Sequence, residues 1–92
     1  MQKIHDLRLK IDEVDQKLLD LIKERLELVK EIGQLKKESG IKVVDRAREE
    51  EILDRLEVLA KKKSIELEII KRIWKILIEI SYEIEGEKNG NS

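Results

Sequence analysis

Apolar residues recur along the first part of the chain at steps of three and four: Ile4, Leu7, Ile11, Val14, Leu18, Leu21, Leu28, Ile32 and Leu35. With Arg25 between Leu21 and Leu28, these are ten successive heptad seam positions, nine of them apolar. The pattern predicts a helix over about residues 3 to 38, ending near Ser39-Gly40, where glycine suits the position past the last turn. Such a helix is roughly 54 Å long. A compact 92-residue globule has a radius of gyration of about 12 Å and a diameter of roughly 32 Å. The helix is therefore expected to overhang its own domain, and a second copy of the chain is the most economical cover for its exposed seam.

A second helix is predicted from about Asp45, a candidate N-cap, to Lys62, burying Ile52, Leu53, Leu56 and Leu59. Lys61, Lys62 and Lys63 suit its negative C-terminal end. Ser64 is a candidate N-cap for a third helix, with Glu66 and Glu68 in the first turn. That helix carries Ile70, Ile73, Trp74, Leu77, Ile80, Ser81 and Ile84 at helical steps. From Gly86 onward EKNGNS offers no apolar anchor, so residues 86–92 are expected to form a frayed tail after a domain spanning 1–85. Proline is absent and strand-like alternation never persists, so the fold class expected is all-α: three helices per chain in an intertwined homodimer.

Composition narrows the function. Charged residues make up 45% of the chain but the net charge is only −1, which argues against nucleic acid as a main partner. Without cysteine there is no disulfide framework or thiolate metal site. The lone histidine, His5, reads as a solvated helix residue, and neither metal nor cofactor is expected. No stretch approaches the ~20 apolar residues of a membrane span, and no secretory signal opens the chain, so a cytoplasmic location is expected. Abundant Lys, Glu, Ile and Leu is a pattern reported for proteins of very hot environments.

Several polar residues interrupt the apolar faces. Arg25 holds a seam position where leucine is expected, either to fix register or to meet a ligand. Lys36 flanks the same seam three turns later, about 16 Å along the axis, and Arg8 flanks it about 25 Å before Arg25. Arg8 is too far to share a small ligand with Arg25 of its own chain, but antiparallel pairing of two first helices would bring it to the partner's basic cluster. Glu49 lies on the inward stripe of the second helix. Arg48 stands in that helix's first turn, where a cation is disfavoured unless neighbouring glutamates or a bound anion compensate it. Ser81 interrupts the third helix's stripe, with Glu85 one turn beyond; an interior serine commonly bonds back to a carbonyl.

LRLKIDEVDQKLLDLIKERLELVKEIGQLK, VVDRARE and ILIEISYEIE together resemble the all-helical class of chorismate mutases, over nearly the whole chain through Glu85. The diagnostic pieces are the L-R-x-x-I-D-x-x-D opening, the E-R eleven residues before Lys36, and D-x-x-R-E after the loop. The resemblance implies a domain-swapped dimer enclosing two sites, each completed by the partner's Arg8. Arg25 and Arg48 match the other arginines that hold carboxylates and substrate, and Lys36 matches the lysine on the ether oxygen. Asp45 and Glu49 match residues holding the ring hydroxyl, and Ser81 a serine near the ring carboxylate. Glu85 stands where many members carry glutamine, the second donor to the ether oxygen. An ionised carboxylate cannot donate, so Glu85 is expected to act in its protonated form and the rate to rise toward acidic pH.

The reaction so implied converts chorismate to prephenate, in phenylalanine and tyrosine biosynthesis, with no acid, base, nucleophile, metal or cofactor strictly required. It asks for a held conformer and for a cation at the breaking ether oxygen. Two other readings stay open on sequence: an isochorismate pyruvate lyase on the same scaffold, and a helical dimerisation module without chemistry. A chain with no room for an effector domain could also associate with another enzyme of aromatic biosynthesis.

Overall fold

The computed structural model describes residues 2–86 and consists of three helices, α1 (Gln2–Ser39), α2 (Arg46–Lys62) and α3 (Leu67–Glu85). Among the described residues there is no strand, and no helix is long and apolar enough to cross a membrane. The expected tail lies outside the described residues apart from Gly86. α1 has 38 residues, as the unbroken heptad predicts, and it stretches the chain to 56 × 24 × 21 Å with a radius of gyration of 16.7 Å. α3 packs against both α1 and α2, whose backbones do not meet each other.

Both helix exits leading into loops use the same device. After α1, Gly40 adopts a left-handed φ of 67°, and the Ile41 N–H donates to the Lys36 carbonyl at 2.9 Å, satisfying a last-turn oxygen that the helix leaves free. After α2, Ser64 takes the equivalent position with φ 56°, and the Ile65 N–H donates to the Ala60 carbonyl at 2.9 Å. Ser64 therefore closes α2 rather than opening α3. The residue preceding α3 is Glu66, which makes no side-chain capping bond. Asp45 caps α2 as expected, Oδ1 accepting from the Arg48 N–H at 3.0 Å.

The buried residues among those described are few: Val29 and Gly33 from α1, Ile52, Leu56 and Ala60 from α2, and Ser81 from α3. Leu59, expected inside, is 37% exposed. The face α2 turns inward runs Ile52, Leu56, Ala60 in strict four-residue steps, which carries Leu59 to its edge. On α1 the face toward α3 passes through Val29 and the buried Gly33, whereas the nine apolar seam residues remain 46% to 62% exposed. On α3, Ile69, Ile73 and Ile76 are also exposed, so that helix is apolar on more than one side.

The chain exposes 8101 Å². A compact protein of 10.9 kDa exposes about 5,600 Å², so roughly 2,500 Å² is in excess, much of it apolar. So little enclosed core leaves the three helices weakly held together when the chain is alone.

Candidate active site

A cavity of about 400 Å³ opens where the second half of α1, the first turn of α2 and the last turns of α3 converge. Its lining includes Arg25, Lys36, Asp45, Arg48, Glu49, Ser81 and Glu85. Every candidate residue from sequence is thus brought together except Arg8, which lies exposed on the overhanging half of α1. Val29, Ile32, Ile52 and Ile78 form the apolar wall between the charges.

Gly33 makes this convergence geometrically feasible. A Cβ at that position would stand 2.9 Å from the Glu85 Cα, closer than real atoms approach, so any side chain there would push the end of α3 away from α1. With glycine the two backbones close up. Lys36, one turn further along α1, then reaches Glu85: Nζ lies 2.6 Å from Oε1 and donates a second bond to the Val43 carbonyl at 2.7 Å. Both side chains are largely shielded, 15% and 7% exposed. An ammonium has three protons to donate, so one remains for a ligand.

Arg25 is held differently. Its Nη1 donates to Ser81 Oγ at 2.7 Å, and that hydroxyl donates onward to the Leu77 carbonyl at 2.7 Å. Ser81 therefore aims the guanidinium, its own proton being committed to the helix backbone. No carboxylate among the described residues comes within ion-pair distance of Arg25. Burial lowers its pKa from the usual arginine value, the nearby Arg48 charge lowers it further, and Glu85 partly offsets both. An arginine so placed still keeps its charge. What results is a half-buried cation facing a cavity with no protein anion paired to it.

The arginines of the first α2 turn find glutamates one turn on. Arg46 Nη1 is 2.8 Å from Glu49 Oε2, and Arg48 Nη1 is 3.3 Å from Glu51 Oε1. The latter pair is exposed on both sides, and an exposed pair of this kind contributes little. Arg48 is free to exchange Glu51 for a better anion in the cavity. Asp45 combines its capping role with a place in the cavity wall.

Two further residues shape the site. Gly33 interrupts an otherwise glycine-free helix, and an interior glycine costs about 1 kcal/mol against alanine, which signals close backbone approach. Tyr82, the chain's one tyrosine, follows Ser81 and lines the cavity beside Glu49; its aromatic ring had no pattern to mark it.

Among the described residues no cluster of three or more His, Asp or Glu side chains forms a metal-holding group. The cavity lining combines the cations Arg25, Lys36 and Arg48 with the carboxylates Asp45, Glu49 and Glu85.

Comparison with known proteins agrees in extent with this geometry. Residues 7–86 match the family model described as chorismate mutase type II. The chain is also 40% identical over 79 residues to a protein of Methanocaldococcus jannaschii named chorismate mutase, an overlap covering 86% of this chain and 80% of that one.

Proposed function

The chain belongs to the chorismate mutase type II family, and from that premise we propose how its own residues, with one from a second copy, rearrange chorismate to prephenate. The reaction is an isomerisation in which one C–O bond breaks as one C–C bond forms, with nothing gained or lost. The observation that carries the residue assignment is the convergence of seven side chains from distant parts of the sequence on one 400 Å³ cavity.

Chorismate is a dianion, and the cavity as it stands is formally balanced: Arg25, Lys36 and Arg48 face Asp45, Glu49 and Glu85. A doubly negative guest needs a positive surplus in a site shielded from water. Two sources are available. One is Arg8 of a second copy, brought in when the apolar seam of α1 pairs with its equivalent. The other is protonation of Glu85, which removes one negative charge and creates a hydrogen-bond donor. Together they raise the cavity to a formal charge of two, matching the guest.

The excess surface of roughly 2,500 Å² per chain supports such pairing, since permanent homodimers bury 2,000–5,000 Å² or more in total. Arg25, held by Ser81, and the partner's Arg8 take the two carboxylates; Arg48 adds charge at the cavity mouth. The spare proton of Lys36 meets the ether oxygen as negative charge grows there, and Glu85 donates to the same atom. Asp45 and Glu49 accept from the ring hydroxyl. Holding the folded conformer replaces entropy that the free molecule would lose on reacting, and fixed donors at the ether oxygen stabilise the transition state more than the ground state.

Both matches carry the mutase description, and neither speaks for the lyase or for a module without chemistry. Incubation with each substrate separates the three. Loss of chorismate absorbance with formation of prephenate is expected; salicylate from isochorismate with chorismate untouched, or no turnover of either, overturns the assignment.

A further inference from the structure

Tyr82 takes no part in the chemistry above, yet it is tied to two residues that do. Its hydroxyl oxygen accepts from the Asp45 N–H at 3.2 Å and lies 3.3 Å from the Asp45 carbonyl oxygen. The phenol also donates to Glu49 Oε2 in a short hydrogen bond. The same Oε2 receives Arg46 Nη1 at 2.8 Å. One oxygen of Glu49 is thus doubly occupied, while Oε1 takes no protein hydrogen bond among the described residues.

Glu49 has two places to go. A second cavity, about 680 Å³, lies between α2 and α3 and is lined by Arg46, Lys71 and Lys75 together with Glu79 and Glu83. Glu49, Ile78 and Tyr82 line both cavities, so these three side chains form the partition between them. Without the phenol, the carboxylate would be held only by Arg46, whose side chain is 78% exposed and lines the second cavity, and it would be free to follow that arginine away from the substrate.

We propose that Tyr82 is a positioning residue for the mutase reaction: it holds the Glu49 carboxylate at the partition with its free oxygen available to the ring hydroxyl of the substrate. This rests on the role given to Glu49 above. Burial raises the Tyr82 pKa above the ordinary tyrosine value and the hydrogen bond to Glu49 raises it further, so the phenol stays a donor across the neutral range.

A cycle of Tyr82→Phe, Glu49→Ala and the double variant tests it, with kcat and KM for chorismate determined separately. Tyr82→Phe keeps the ring and is expected to lower kcat/KM roughly tenfold, the scale of one hydrogen bond to a charged group, mostly through KM. In the Glu49→Ala background the same change is expected to cost nothing. A loss of equal size in both backgrounds, or wild-type kinetics for Tyr82→Phe, overturns the proposal. A second measurement needs neither substrate nor a tyrosine variant. Tyr82 is the chain's one tyrosine, so its ionisation is readable by absorbance: Glu49→Ala is expected to lower the pH at which tyrosinate appears, and an unmoved titration overturns the contact. Chorismate turnover by the wild type checks the underlying function independently of either result.

Discussion

Arg25→Ala is expected to lower kcat/KM for chorismate by a factor of roughly 10² to 10³ or somewhat more, and Arg25→Leu to do the same while raising the melting temperature. The loss follows from what Arg25 faces. Among the described residues it is a half-buried guanidinium steadied by Ser81 and paired with no protein carboxylate, and the proposed mechanism gives it a substrate carboxylate as its anion. Removing one partner of a shielded charge pair costs about 3–5 kcal/mol, and each tenfold in rate corresponds to about 1.4 kcal/mol. The gain in stability follows from the same facts read in the absence of substrate. Burial and Arg48 both disfavour the charged form of Arg25, and leucine at this seam position would extend the apolar run of α1. Kinetics with chorismate and a thermal melt check both halves. A mere register-fixing arginine would also give way to leucine with a gain in stability, but with catalysis intact, and that pairing of results would refute the assignment.

Lys36→Ala is expected to lower kcat by about 10² to 10³, the cost of deleting one donor from a charge-stabilising site. Glu85→Gln is expected to act in the opposite sense at neutral pH. In the free chain the Glu85 carboxylate accepts from Lys36 at 2.6 Å, which occupies the lysine and places negative charge where the ether oxygen will gain more. An ionised Glu85 therefore opposes the reaction twice. A neutral donor at this position would free Lys36, and glutamine is such a donor at any pH, so Glu85→Gln is expected to raise the rate several-fold near pH 7.5. No gain with Glu85→Gln would remove Glu85 from the mechanism.

Much of the fold was legible because α1 declares itself over five heptads and because Asp45 and Gly40 are strong boundary signals. Part of the cavity lining was legible for a related reason: Arg25, Glu49 and Ser81 interrupt apolar stripes whose helical period is clear, whereas the places of Asp45, Arg48 and Glu85 came from the resemblance. What escaped has physical causes. Ser64 looks like an N-cap, but a serine tolerated at left-handed φ can equally end the preceding helix. Leu59 drew attention by size, whereas the inward face of α2 continues to the small Ala60. The faces of α1 divide, Val29 and Gly33 meeting α3 while Leu28, Ile32 and Leu35 stay exposed, and a single heptad seam does not distinguish them. Tyr82 depends on contacts 33 and 37 residues away in sequence, which no local pattern encodes.

Arg8 remains the residue whose role depends most on a second chain, and mixing inactive variants tests it. Arg8→Ala and Arg25→Ala homodimers are each expected to be severely impaired. If every site takes Arg25 from one chain and Arg8 from the other, unfolding the two variants together and refolding them creates heterodimers with one intact site and one lacking both arginines. Random pairing then restores roughly a quarter of wild-type specific activity. Mixtures no more active than the average of the two variants, or an Arg8→Ala protein with wild-type kinetics, would contradict a site shared between two copies.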